Sequence, residues 1–222
     1  MAQATRTSSA SSVGLSDDPI ENASAWLQVN QKPIIIGIGI IAVSAAAIFG
    51  YRWMDANKRT EANNELYRAT APLSEGKYPE AQTALEKVVK RFGGTSSGNQ
   101  AALLLAQVMY EQKKYAEGIA SLEQSKGSAG SEFTAPIEAM IAVGYESQGK
   151  FDDAAAHYGK AASASKFPLD KATNQAQQAR NFTLGGKQSE AKKVWEELAK
   201  DESLPFAQEA QIRLGEIAGA GK

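Results

Sequence analysis

One stretch of this chain reads like a phosphate-binding loop: Gly144-Tyr-Glu-Ser-Gln-Gly149-Lys150. Such a loop cradles phosphates with main-chain amides, brings a lysine to them, and ligates magnesium through the next Ser or Thr. Here the next residue is Phe151 and no strand precedes the glycine. The same Gly-Lys pair recurs elsewhere in the chain, so its expected role is to end a helix. His157 is the only histidine and cysteine is absent, which excludes zinc clusters, thiolate nucleophiles and disulfides. His157 is expected on the solvent side of its helix, and no serine–histidine–acid arrangement accompanies it. Asp152-Asp153 opens that helix, where acids complement the dipole and serve as caps rather than as a catalytic pair. Asn22-Ala23-Ser24 and Asn181-Phe182-Thr183 match the glycosylation sequon, a pattern short enough to recur by chance. No catalytic, cofactor-binding or metal site is expected, and the chain does not read as an enzyme.

The elements that carry these residues are set by a period. GKY at Gly76–Tyr78, KKY at Lys113–Tyr115, GKF at Gly149–Phe151 and GKQ at Gly186–Gln188 are spaced 37, 36 and 37 residues apart. A fixed period of this size marks a stack of helix pairs, each too small to bury its own apolar face. Ala69, Ala106, Ala142 and Ala179 lie nine residues before the aromatic or its equivalent, and Ala81, Gly118, Ala154 and Ala191 three residues after it. Helices approach to about 8–10 Å only where the contact positions carry little side chain. Leu85, Leu122, Tyr158 and Trp195 follow seven residues after it and fill the groove.

The expected helices are Asp55–Glu75 with Pro79–Phe92, Gln100–Gln112 with Tyr115–Gln124, Pro136–Gln148 with Asp152–Ser163, and Leu169–Thr183 with Ser189–Lys200. Gly93–Asn99 and Lys126–Ser131 are expected loops, and Pro205–Ala218 an unpaired capping helix. The fold class is therefore all-α: a helical solenoid of about four pairs behind one apolar N-terminal helix. A net charge of −1, with 22% charged residues, leaves no basic footprint for nucleic acid.

That apolar helix is Ile34–Gly50, 17 residues without a charge. Tyr51 and Trp53 lengthen it towards the ~30 Å of a hydrocarbon core, Trp26 and Trp53 suit the two interfaces, and Lys32 and Arg52 can snorkel. The expected membrane span is 34–53. It starts too late, behind an acidic leader (Asp17, Asp18, Glu21), to read as a cleaved signal peptide. Residues 1–17 are expected to be a disordered Ser/Ala/Thr tail. Residues 18–33 are expected to form a short interfacial helix, capped by Asp18 and Glu21, that turns at Lys32-Pro33. Residues 54–222 are the repeat domain. Ala42, Ala46 and Gly50 make a small-residue ridge on the span.

The small–small–large spacing around each turn resembles a tetratricopeptide repeat array, with Gly144–Ala162 the best copy. The layout as a whole is similar to the ancillary SecYEG translocon subunit family (YfgM-like): a short acidic leader, a span ending GYRW, a helix closing in LSEGK, and irregular repeats. The resemblance covers roughly Asp17 to the C-terminus, with Gly50–Lys77 its most specific part. It implies a single-span protein of the bacterial inner membrane whose repeats lie in the periplasm. As partners it implies the translocon and a periplasmic folding factor beside it.

In such arrays the first helix of each pair lines the concave face, which places Gln107, Tyr110, Val143, Glu146 and Arg180 there as candidate partner-binding residues. A binding groove for an extended segment or helix and a merely solvated face are both consistent with this mixture. Arg52, Lys58, Arg59 and Arg68 follow the span while Lys32 alone precedes it closely, a bias that by itself would keep the repeats in the cytoplasm, against the family topology. Two functions stand: an interaction module accessory to protein translocation and folding, or a structural subunit of another large membrane complex.

Overall fold

The computed structural model describes residues 19–220, so the expected tail and the Asp18 cap lie outside the described residues. Compact packing divides the chain into Met1–Asp55 and Ala56–Lys222. All regular structure among the described residues is helical.

In the first unit, α1 (Pro19–Val29) is followed by α2 (Gln31–Ser74), whose opening half belongs here. The break between them falls at Asn30, not at Lys32-Pro33. Pro33 instead sits in the first turn of α2, where a missing N–H costs nothing because no helical acceptor precedes it. The Asn30 side chain donates to the Trp26 carbonyl at 2.8 Å and holds the end of α1. An 18-residue window of α2 has mean hydropathy 2.4 and none of it is buried. Ile35, Ile36, Ile38, Ile40, Ile41 and Val43 are each more than 60% exposed. The helix is thus long and apolar enough to cross a membrane, and none of that window is buried among the described residues.

The second unit is the array. The closing half of α2 buries Ala62, Leu66 and Ala69 against α3 (Tyr78–Phe92) and α4 (Ser96–Glu111). Then follow α5 (Tyr115–Lys126), a 3-10 turn at Ser131–Phe133, α6 (Thr134–Glu146), α7 (Phe151–Ala164), α8 (Pro168–Leu184), α9 (Gln188–Leu198) and α10 (Ala207–Ala220). α4 begins earlier than the sequence suggests, because Thr95 Oγ1 accepts from the Gly98 N–H at 3.0 Å and caps it. α10 does cap the stack, laying Ala210, Leu214 and Ile217 over Trp195 and Leu198 of α9.

The spacing read from the sequence is the packing. Ala106, Ala142 and Ala179 are fully buried, as are Ala81, Ala154 and Ala191. The plugs Leu85, Leu122, Tyr158 and Trp195 are no more than 4% exposed. Each helix pair is closed by a residue in the left-handed region: Gly76, Lys113, Gly149 and Gly186, with φ of 71°, 62°, 71° and 76°. After each, the next amide reaches back to the helix: Lys77 to Pro72, Lys114 to Met109, Lys150 to Tyr145 and Lys187 to Phe182, all within 2.8–3.0 Å. This is the two-bond helix ending that glycine favours, since it lacks the Cβ that penalises positive φ.

Lys113 holds that conformation with a side chain, at a cost glycine avoids. Lys113→Gly is expected to raise stability by about 0.5–1 kcal/mol, and Gly149→Ala to lower it by about as much, in thermal melts of the full chain in detergent.

Candidate functional site

Register aligns Thr70, Gln107, Val143 and Arg180 as one row along the first helices, and Leu73, Tyr110, Glu146 and Thr183 as the next. Gln107 is exposed and Val143 is 38% exposed, so both present side chain to solvent. One turn before Thr70, Tyr67 is 81% exposed. The other three candidates are half-buried and their polar ends are engaged within the array.

Tyr110 spans two helix pairs. Its hydroxyl donates to the Met140 carbonyl at 3.1 Å, and its ring fills space that two glycines leave. A Cβ on Gly118 would lie 2.5 Å from its ring, and one on Gly144 only 2.4 Å from its hydroxyl oxygen. Burial, with Tyr145 nearby, pushes the phenol pKa up, so it remains a neutral donor at physiological pH. Glu146 accepts from the Tyr158 hydroxyl at 3.0 Å and from Asn181 Nδ2 at 3.2 Å, tying α6 to α7 and α8. Burial and that carboxylate raise the Tyr158 pKa as well. Arg180 grips Glu209 of α10 with Nε (3.0 Å) and Nη2, and donates to Gln177 through Nη1 at 3.0 Å. The exposed part of this face is thus mostly uncharged, with Arg180 already neutralised by its bidentate pair.

His157 corrects the expectation of a solvent-side residue. It is 9% exposed, its Nδ1 lies 2.6 Å from Glu138 Oε2, and its ring stacks on Tyr145 at 5.3 Å. Lys126 Nζ reaches the other Glu138 oxygen at 2.9 Å, so one buried carboxylate joins α5, α6 and α7. The register held a signal: the equivalents of His157 are Ala84, Ser121 and Val194, all small or apolar and none exposed. Glu138 itself had none, because a carboxylate in a helical stripe ordinarily faces water. Burial alone would raise its pKa. The hydrogen bonds from Lys126 and His157 outweigh that and hold it below the usual value.

The phosphate-loop likeness is removed by geometry. The Gly149 and Lys150 amides already donate to the Glu146 and Tyr145 carbonyls, at 2.9 and 3.0 Å, so no amide cradle faces outward. Gly144 lies inside α6 beneath Tyr110. Asp152 pairs with Lys187 at 2.8 Å across to the next repeat turn. Asn181, in the second sequon, is fully buried. Among the described residues no group of three His, Cys, Asp or Glu could hold a metal.

A stack of helix pairs with small residues at the crossings, aromatic or aliphatic plugs and glycine-type closures defines a tetratricopeptide-type scaffold, a class that binds proteins. The tetratricopeptide repeat-like domain family matches residues 24–167, more than half the chain, and the protein belongs to that family. Among solved structures it is similar to the nearly identical TPR-like repeats of a Podospora anserina protein assigned to the kinesin light chains. The TM-score is 0.56 at 18% identity, covering 73% of this chain and 88% of that one. A single-substitution form of the same protein gives the same TM-score and identity, over 73% and 87%. A thermophilic TPR protein of Thermus thermophilus matches with a TM-score of 0.40 at 14% identity, over 71% and 98%. No curated protein sequence matches the chain.

Glu138→Gln is expected to destabilise the array by about 1–3 kcal/mol at pH 7, because Lys126 and His157 lose their shared anion. A lowered pKa means the stabilisation is present above the unfolded value and lost as the pH falls through the folded one. Denaturation in a pH series should therefore show the gap between the two proteins closing in acid.

Proposed function

We propose that this protein is a membrane-anchored interaction module that assists protein translocation and early folding at the bacterial inner membrane, with its repeats in the periplasm. The observation that carries the membrane part is the exposed apolar half of α2, most of whose isoleucines are exposed among the described residues. Bilayer removes that cost, at about 25 cal/mol per Å² of apolar surface taken from water. The interaction part rests on the repeat family and on an exposed first-helix face of neutral residues, suited to an extended segment or a helix. Assignment to a translocon of the Sec type, with a periplasmic folding factor, follows the resemblance carried by GYRW and LSEGK. The basic residues after the span are compatible with it, since long domains translocate despite local charge.

Three measurements test this. A reporter active only in the periplasm, fused after Lys222, should be active; activity of a cytoplasmic reporter alone would refute the orientation. Crosslinking in gentle detergent should recover translocon components substoichiometrically, whereas a fixed ratio within an unrelated complex would make the chain a structural subunit. Gln107→Glu with Val143→Glu should cut partner recovery several-fold while leaving the melting temperature unchanged, because both side chains are exposed. Unchanged recovery would move the contact off this face.

A further inference from the structure

Asn99 breaks the repeat. Its equivalents in the other copies are Ala62, Ala135 and Ala172, so packing at this position asks only for a methyl group. Asn99 is nevertheless 2% exposed, and among the described residues its carboxamide has no hydrogen-bond partner, while neither of its polar atoms is one of those sealed from solvent. Asn99 lines a cavity of about 540 Å³, within the usual range for ligand sites (~300–1,000 Å³).

This cavity lies on the second-helix side of the array, away from Gln107 and Val143. Glu86, Val89 and Lys90 of α3 form one wall, and Ser121, Gln124 and Ser125 of α5 the other. α4 is the floor, held close because Gly98 has no room for a Cβ: one would sit 2.1 Å from the Phe92 carbonyl oxygen. The Ser125 and Ser128 hydroxyls spend their protons on the Ser121 and Ser125 carbonyls, at 2.9 and 3.2 Å, and so offer acceptor lone pairs to the cavity. Lys90 and Gln124 supply donors at the rim.

We propose that this cleft is a second binding site, for an extended peptide segment whose main chain pairs with Asn99. A carboxamide presents an acceptor and a donor side by side, the complement of the N–H and C=O that a peptide main chain offers. The wall from Glu86 to Gly93 runs about 10 Å at 1.5 Å per residue, room for about three residues of extended chain. Serine acceptors take further amide protons, and Lys90 and Gln124 take carbonyls. The site does not depend on the first-helix face, so the failure of one leaves the other standing.

The probe is a blocked pentapeptide of alanine and serine, added to the full chain in detergent and followed through the side-chain amide resonances of asparagine. The Asn99 NH₂ signals should shift saturably, and a pentapeptide with its central amides N-methylated should leave them in place. Asn99→Ala should abolish binding and melt at the same or a higher temperature, since it restores the residue the other copies carry. Three results would each overturn the proposal: no shift, an equal shift with the N-methylated peptide, or a lower melting temperature for Asn99→Ala.

Discussion

Everything in the array depends on how closely two helices can cross. Each pair meets through an alanine on the first helix and an alanine or glycine on the second, and the crossing positions in the last three pairs are sealed from solvent. With so little side chain between the backbones, one large residue per pair is enough to fill the remaining groove, and Leu85, Leu122, Tyr158 or Trp195 takes that place. The left-handed closures then follow from chain length. Two helices packed this tightly leave only a reversal of a few residues, and the two-bond glycine ending makes it while satisfying the carbonyls of the first helix.

The same closeness decides what the polar residues do. Tyr110 reaches between pairs because Gly118 and Gly144 leave its ring a slot. Glu138, Glu146 and Glu209 each meet donors from a neighbouring helix, so the array is stitched by carboxylates as well as packed by alanines. Such interlocks suit a repeat domain, whose small cores gain direction from bonds that cannot slide. They also leave the first-helix face with few free charges, and so with a preference for neutral or amphipathic partners.

Legibility varied with the kind of interaction. Helix pairs, crossings and plugs were readable because they recur at 36–37 residues, and packing at one position constrains the same position in every copy. Among the five candidate partner residues, register placed all of them on first helices, yet only Gln107 and Val143 stand clear. Tyr110, Glu146 and Arg180 occupy the same helices but lean to neighbours that differ from copy to copy. His157 was misplaced for a related reason: its surroundings depend on Glu138 and Lys126, which lie on other helices at no repeating interval.

By itself, the sequence determined the all-helical repeat, its turns, its small crossings and one apolar segment long enough for a bilayer. These are local or periodic, and each is set by residues close in the chain. Tertiary structure alone decided which polar groups are used up and which remain available. Arg180 is taken by Glu209, the Gly149 and Lys150 amides by their own helix, and Asn99 lines a cleft where the other copies carry alanine. A hydrogen bond needs two partners in register across space, and only the folded chain says whether the second one is there.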